Sequence, residues 1–119
     1  MKKKLNPELN IHPGEILKKE FLEELNISAR TLCLETGIPE SNLSQILKGK
    51  RDVTAHISLL LGKFFGLNDV FFLTIQNHYD ITKEKMIHDV RLSKIRPYHK
   101  LVRFFGSDKK ASVAARKRT

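Results

Sequence analysis

Cysteine is almost absent: Cys33 stands alone among 119 residues, so no internal disulfide can form. A lone thiol favours a reducing compartment, and a cytoplasmic protein is expected. No apolar run approaches the length of a membrane span, so no membrane partner is expected. The opening "MKKKL" is followed by "NPELNIHPGE", which is not the apolar centre of a secretory leader, and none is expected. Strand-like alternation of apolar and polar residues is missing too. The signatures of catalysis are equally scarce. His12, His56, His78, His88 and His99 never fall four residues apart, and no HExxH occurs. One thiol cannot build a thiolate zinc site. There is no GxSxG elbow and no glycine-rich phosphate loop. An enzyme, a metal and a cofactor are therefore not expected. Cys33 reads as a small hydrophobe, and His12 as a structural or surface residue before a helix.

What is present is helix and positive charge. The formal net charge is +9, which raises the prior for a polyanion partner. The ends hold much of it. Residues 1–8 carry +2 and residues 108–119 carry +4, which leaves +3 for the middle. The folded part is nearly balanced, so any surface for nucleic acid must be a local patch. With 40% hydrophobic residues the chain can build a small core.

Glycines sit where helices should stop. Pro13 and Gly14 open a first helix, with Glu15 at its positive end. Leu17, Phe21 and Leu25 form its apolar stripe, widened by Ile16 and Leu22. The carboxylates Glu15, Glu20, Glu23 and Glu24, interleaved with Lys18 and Lys19, read as a solvated face. "NIS" breaks this helix and Ser28 can cap the next. The second helix packs through Ala29, Leu32, Cys33 and Thr36, a face of small groups. Gly37 permits a tight turn, about four residues long, and Pro39 suits the next start. Two helices so joined are the pattern of a helix-turn-helix. Gly49 ends the third helix, Thr54 caps a fourth, and Gly66 ends that. Asn68 or Asp69 starts a fifth, which continues to about Ile95 or breaks near Tyr79–Asp80. "QNHY" at 76–79 reads as a helix end with partial burial.

The third helix, in "IPESNLSQILKGKR", is anchored by Leu43, Ile46 and Leu47. Its other face offers Glu40, Ser41, Asn42, Ser44 and Gln45, short groups that donate or accept hydrogen bonds. Such a face suits the major groove, where base edges show distinguishable donors and acceptors. Gln45 can pair with adenine; Asn42 can do so or hold a phosphate; Glu40 can accept from cytosine or exclude wrong bases. Lys48, Lys50 and Arg51 at the helix exit, with Ser28 and Arg30 at the second helix's start, are the expected phosphate contacts. The alternative is a solvated face that touches nothing. The segment from Phe71 to Ile95 has more apolar surface than a fifth helix needs. Phe71, Phe72, Ile75 and Tyr79 are the expected dimer contacts.

The stretch "SARTLCLETGIPESNLSQILKGKRDVT" resembles the Xre/Cro-like helix-turn-helix. More narrowly, "HPGEILKKEFLEEL" at 12–25, "GKRDVTAHISLLLGKFFG" at 49–66 and "FFLTIQNHYDI" at 71–81 resemble HigA-type antitoxins, including the group labelled virulence-associated protein I. The HPGE opening and the QNxYD segment are the specific parts. The resemblance implies an all-α, five-helix, lambda-repressor-like domain with a C-terminal helical extension, spanning about 10–97. It implies a homodimeric repressor on double-stranded operator DNA with an inverted repeat, associated with the bacterial nucleoid. It also implies a toxin partner, a RelE-like mRNA endonuclease. Residues 1–9 form a basic arm and 98–119 a basic tail, expected to be disordered. Ala29 stands where the family usually has Gln, removing one phosphate or base contact, and Leu73 replaces a usual Trp. Two other functions remain open from the sequence: a regulator of the same fold without a toxin, and a protein-interaction module whose basic ends bind RNA weakly. An adjacent gene for a short basic protein would separate the first two, and duplex competition the third.

Overall fold

In the computed structural model, which describes residues 10–98, all regular structure is helical. The chain divides into two compact units, the first ending at Ile87 and the second beginning at His88. The expected basic arm, and all of the expected tail except Tyr98, lie outside the described residues.

Local signals decide where most helices of the first unit begin and end. Helix α1 (Pro13–Ile16) runs directly into a π-helical segment, π1 (Leu17–Glu23). Helix α2 (Ala29–Thr36) is capped by Ser28, whose hydroxyl oxygen accepts from the Thr31 amide. Helix α3 (Glu40–Leu47) follows after Gly37–Pro39, a connection one residue shorter than expected. Thr54 caps α4 (Ala55–Phe65) by accepting from the Ile57 amide. Helix α5 (Phe71–Ile87) is prepared by Asn68, whose side-chain oxygen accepts from the Val70 amide at 3.1 Å. It passes Tyr79–Asp80 unbroken and stops at Ile87, short of Ile95.

One register differs from expectation. Leu25 is 55% exposed, while Leu17 and Leu22 are buried. A π-helical turn bonds five residues back and so holds more residues than an α turn. Residues five apart then share a face, and the α-periodic position at Leu25 rotates to solvent. Asn26, with φ at 57°, closes the segment, and Ile27 donates back to the Leu22 carbonyl at 2.9 Å.

The core joins Leu17, Leu32, Leu43, Ile46, Leu61 and Phe72, all buried. Phe72 is fully enclosed, so this expected dimer contact belongs instead to the core. Phe21 meets Phe65, Phe71 and Phe72 with centroids 4.9, 5.9 and 5.3 Å away, tying π1 to α4 and α5 in tilted and edge-on ring contacts.

Two polar clamps complete the unit. His12 is buried, and its Nδ1 accepts from the Gly14 amide at 2.8 Å. The neutral ring therefore carries its proton on Nε2, which is buried without a hydrogen-bond partner among the described residues. The Tyr79 ring meets it edge-to-face at 5.0 Å, and Asn10 Nδ2 donates to the Tyr79 carbonyl at 3.0 Å. Gly14 lies against α3 so closely that a Cβ there would collide with the Ile46 carbonyl. Gln76 forms the second clamp. Its Oε1 accepts from the Val53 amide at 2.7 Å, and its Nε2 donates to Asp80 at 3.0 Å and Asp52 at 3.3 Å. The "QNHY" segment is thus mid-helix, with Gln76 wholly buried, and not a partly buried helix end.

Among the described residues, the second unit holds helix α6 (Asp89–Ser93), in which Ser93 Oγ donates to the Val90 carbonyl at 2.7 Å.

Two measurements check these clamps. Gly14→Ala should lower stability by about 1–3 kcal/mol, because backbone must move to admit the methyl group. Urea unfolding should show an earlier midpoint at unchanged slope. An unchanged midpoint would contradict the close approach. Burial above all lowers the His12 pKa; Asp52 and Asp80 act against it, and Lys83 with it. The unfolded chain then binds this proton more readily than the folded one. Stability is full above pH 6.5 and falls as pH drops below that value. Thermal midpoints of the parent should fall in that range, and those of His12→Gln should fall less.

Candidate nucleic-acid interface

The turn between α2 and α3 is assembled from its own side chains. Gly37, at φ 83°, donates to the Cys33 carbonyl at 2.8 Å. Thr36 Oγ1 donates to the Leu32 carbonyl at 2.6 Å and accepts from the Ile38 amide at 3.3 Å. Ile38 is buried behind this turn, so α3 leaves it in a set direction. Leu43 and Ile46 then face the core, with Leu47 half-buried. The opposite face is polar. Glu40, Ser41, Ser44 and Gln45 are exposed, and Asn42 is half-buried.

The exit of α3 is as closely defined as its start. Gly49, at φ 76°, donates to the Ile46 carbonyl at 2.9 Å, and Lys50 donates to the Gln45 carbonyl at 2.8 Å. These are the two bonds of a Schellman motif, which needs a left-handed residue and so favours glycine here. His12 packs beneath this glycine, where a Cβ would lie 3.7 Å from the ring. Lys48, Lys50 and Arg51 are exposed around this exit.

At the start of α2, Ser28 Oγ also donates to Thr31 Oγ1 at 2.9 Å. Its hydroxyl is engaged in capping, which leaves the first amides of α2 as the groups open to an anion. Arg30 is exposed and pairs with Glu40 at 3.4 Å, joining the starts of α2 and α3. Both side chains are more than two-thirds exposed, so this pair adds little to stability.

Between these elements lies a groove of about 400 Å³. Arg30, Glu40, Ser44 and Lys48 line it, and so does Lys18 from π1, a residue expected on a solvated face. Cys33 and Leu43 are at its base. Burial, and next the Glu40 carboxylate, push the Cys33 thiol up, which keeps it protonated and unreactive. Ala29, expected on the packed face of α2, is exposed at the groove instead. Phe71, Ile75 and Tyr79 are each half-buried. Gly14 and Gln76 place the ends of this surface without any local sequence signal of that role. Both lie within HPGE and QNxYD, the specific parts of the resemblance.

The chain is similar to known proteins. The helix-turn-helix family model matches residues 18–72. Virulence-associated protein I of Dichelobacter nodosus is 35% identical over 71 residues, 60% of this chain. The matched segment spans 66% of that relative, just under two thirds of its length. A solved addiction module antidote protein of the HigA family from Coxiella burnetii is 37% identical, with a TM-score of 0.69. It covers 75% of this chain and 98% of its own. The Pseudomonas aeruginosa antitoxin HigA, solved with the higBA promoter, is 28% identical with a TM-score of 0.69, over 74% of this chain and 97% of its own. With the turn, the anchored third helix and both clamp motifs in place, the chain belongs to the Xre-like helix-turn-helix family, in the group of HigA-type antitoxins.

Proposed function

We propose that the chain is a sequence-specific DNA-binding repressor, the antitoxin of a HigB/HigA-type pair that represses its own operon as a homodimer. The observation that carries this reading is α3: a helix anchored by Leu43 and Ile46 that exposes Glu40, Ser41, Ser44 and Gln45, with Asn42 half-buried beside them. A promoter is present in the P. aeruginosa HigA structure, which supports the same use here. In this reading Glu40, Ser41, Asn42, Ser44 and Gln45 meet base edges in the major groove. Arg30, Lys48, Lys50 and Arg51 meet phosphates, and Ser28 contributes through the amides it orders at the start of α2. Arg30 exchanges Glu40 for a phosphate on binding, which frees the Glu40 carboxylate to face bases. The partner toxin is a RelE-like mRNA endonuclease, and the pair works in the cytoplasm, the repressor at the nucleoid. The chain itself is not an enzyme. Phe71, Ile75 and Tyr79, each half-buried, are the candidates for the dimer contact.

Gln45 carries the direct test. Gln45→Ala should cost about 1–3 kcal/mol on the preferred operator and relax preference at one base pair of each half-site. Equal loss on every duplex would make Gln45 a phosphate contact and remove it from base reading.

One short helix spans only a few base pairs, so two copies are needed to select one site in a genome. Their half-sites should form an inverted repeat about 34 Å apart on one face of the duplex. Sedimentation of the free protein with footprinting of the upstream DNA checks this. A monomer protecting one asymmetric site would refute it.

A further inference from the structure

The groove beside α3 combines two chemistries. Its accessible edge carries one cation from each of three elements: Lys18 of π1, Arg30 of α2 and Lys48 at the end of α3. Its base is apolar, made by buried Cys33 and Leu43 with half-buried Leu47. Glu40 is the one carboxylate in the lining, and it is already paired with Arg30. The neighbouring lysines of π1 are used differently. Lys19 pairs with Glu15 at 3.4 Å, whereas Lys18 is turned to the groove.

A cationic edge over an apolar base does not suit a fully hydrated ion. It suits a group with an anionic head and a carbon-rich body. The nucleic-acid backbone has that composition, a phosphate joined to the C–H face of a deoxyribose. Position selects the same occupant. Ser44 lines the groove and also belongs to the polar face of α3, so the groove continues the surface proposed to read bases. Ala29 leaves its mouth open, since its side chain is a single methyl group on an exposed position.

We propose that this groove seats one sugar-phosphate unit of the bound duplex, and that Lys18 is a phosphate contact there. The proposal rests on the DNA-binding reading given above. Lys18, outside the two-helix motif, takes over an anchoring role at the place where Ala29 supplies no polar group. The deoxyribose rests on Leu47 and Cys33 while Lys18 and Lys48 approach the phosphate from two sides.

The test uses the full chain, its operator duplex and an unrelated duplex over a range of salt. Lys18→Gln should flatten the slope of log K against log[salt] by about 0.9 per protomer on both duplexes. Base preference and thermal midpoint should not change, because Lys18 is exposed. Neutral methylphosphonate placed singly along each half-site locates the phosphate. At one position it should weaken the parent protein more than Lys18→Gln, which keeps only the Lys48 contact there. Ala29→Gln, which fills the mouth, should shrink the effect of Lys18→Gln. If the salt slope is unchanged in Lys18→Gln and no methylphosphonate position distinguishes the variant from the parent, the groove does not seat the backbone. The DNA reading would survive that result if Gln45→Ala still relaxed base choice. A parent protein with no preference between the duplexes would overturn both.

Discussion

The contact of Gly14 with the Ile46 carbonyl sets the place of α3, and much of the molecule is arranged around it. Two backbones meet there with no side chain between them. Any other residue at Gly14 would push α1 and α3 apart. The contact comes at the last turn of α3, where the Ile46 carbonyl accepts from the Gly49 amide that closes the helix. His12 closes the same corner from below. It caps α1 through the Gly14 amide and packs beneath Gly49, the residue that ends α3. Tyr79 then presses α5 against the ring. One histidine thus touches the start of α1, the end of α3 and the middle of α5. Burying its Nε2 without a partner among the described residues costs free energy, and that cost is accepted in exchange for a fixed helix exit.

Gln76 fixes the chain just beyond that exit. Val53 begins the return to the core, and its amide would be orphaned without the Gln76 oxygen. The segment from Lys48 to Arg51 is therefore held at both ends, by His12 and Gly14 on one side and Gln76 on the other. Three cations lie within it. A flexible segment would lose affinity to ordering on each binding event; one held at both ends has already been ordered by folding. The residues of HPGE and QNxYD do their work by position, without facing the polar surface of α3.

Much of this was legible from the sequence because the signals were local. Ser28 and Thr54 cap the helices expected of them, and Gly37, Gly49 and Gly66 adopt the left-handed backbone. Leu43 and Ile46 face inward as their spacing requires. The failures have physical causes. A 3.6-residue period puts Leu25 on the core face, whereas π-helical turns widen the period and rotate this residue to solvent. Composition cannot separate core aromatics such as Phe72 from surface ones; the ring cluster with Phe21 and Phe65 uses Phe72 inside. The full burial of Gln76 is not legible locally, because a polar residue is buried only when distant groups satisfy it. Val53 and Asp52 are more than twenty positions away. Gly14 looked like a helix opener, yet its true constraint is a carbonyl thirty-two residues further on.

Charge is the second level of the design. The middle of the chain is close to neutral, so attraction to a polyanion must come from placement. Around α3 the placement is one-sided: Arg30 before it and Lys48, Lys50 and Arg51 after it, with Glu40 the acidic group at its first position. Glu40 favours the positive end of the helix dipole, and its pairing with Arg30 holds the starts of α2 and α3 in register in the free chain. Because both partners are solvent-exposed, the pair is cheap to break, as the proposed phosphate contact of Arg30 requires. The polar face of α3 between these charges can then change residue by residue without disturbing its anchors, since Leu43 and Ile46 point the other way. Anchors and polar face are separate sets of side chains on one eight-residue helix. That separation lets one scaffold present different polar faces without rebuilding its core.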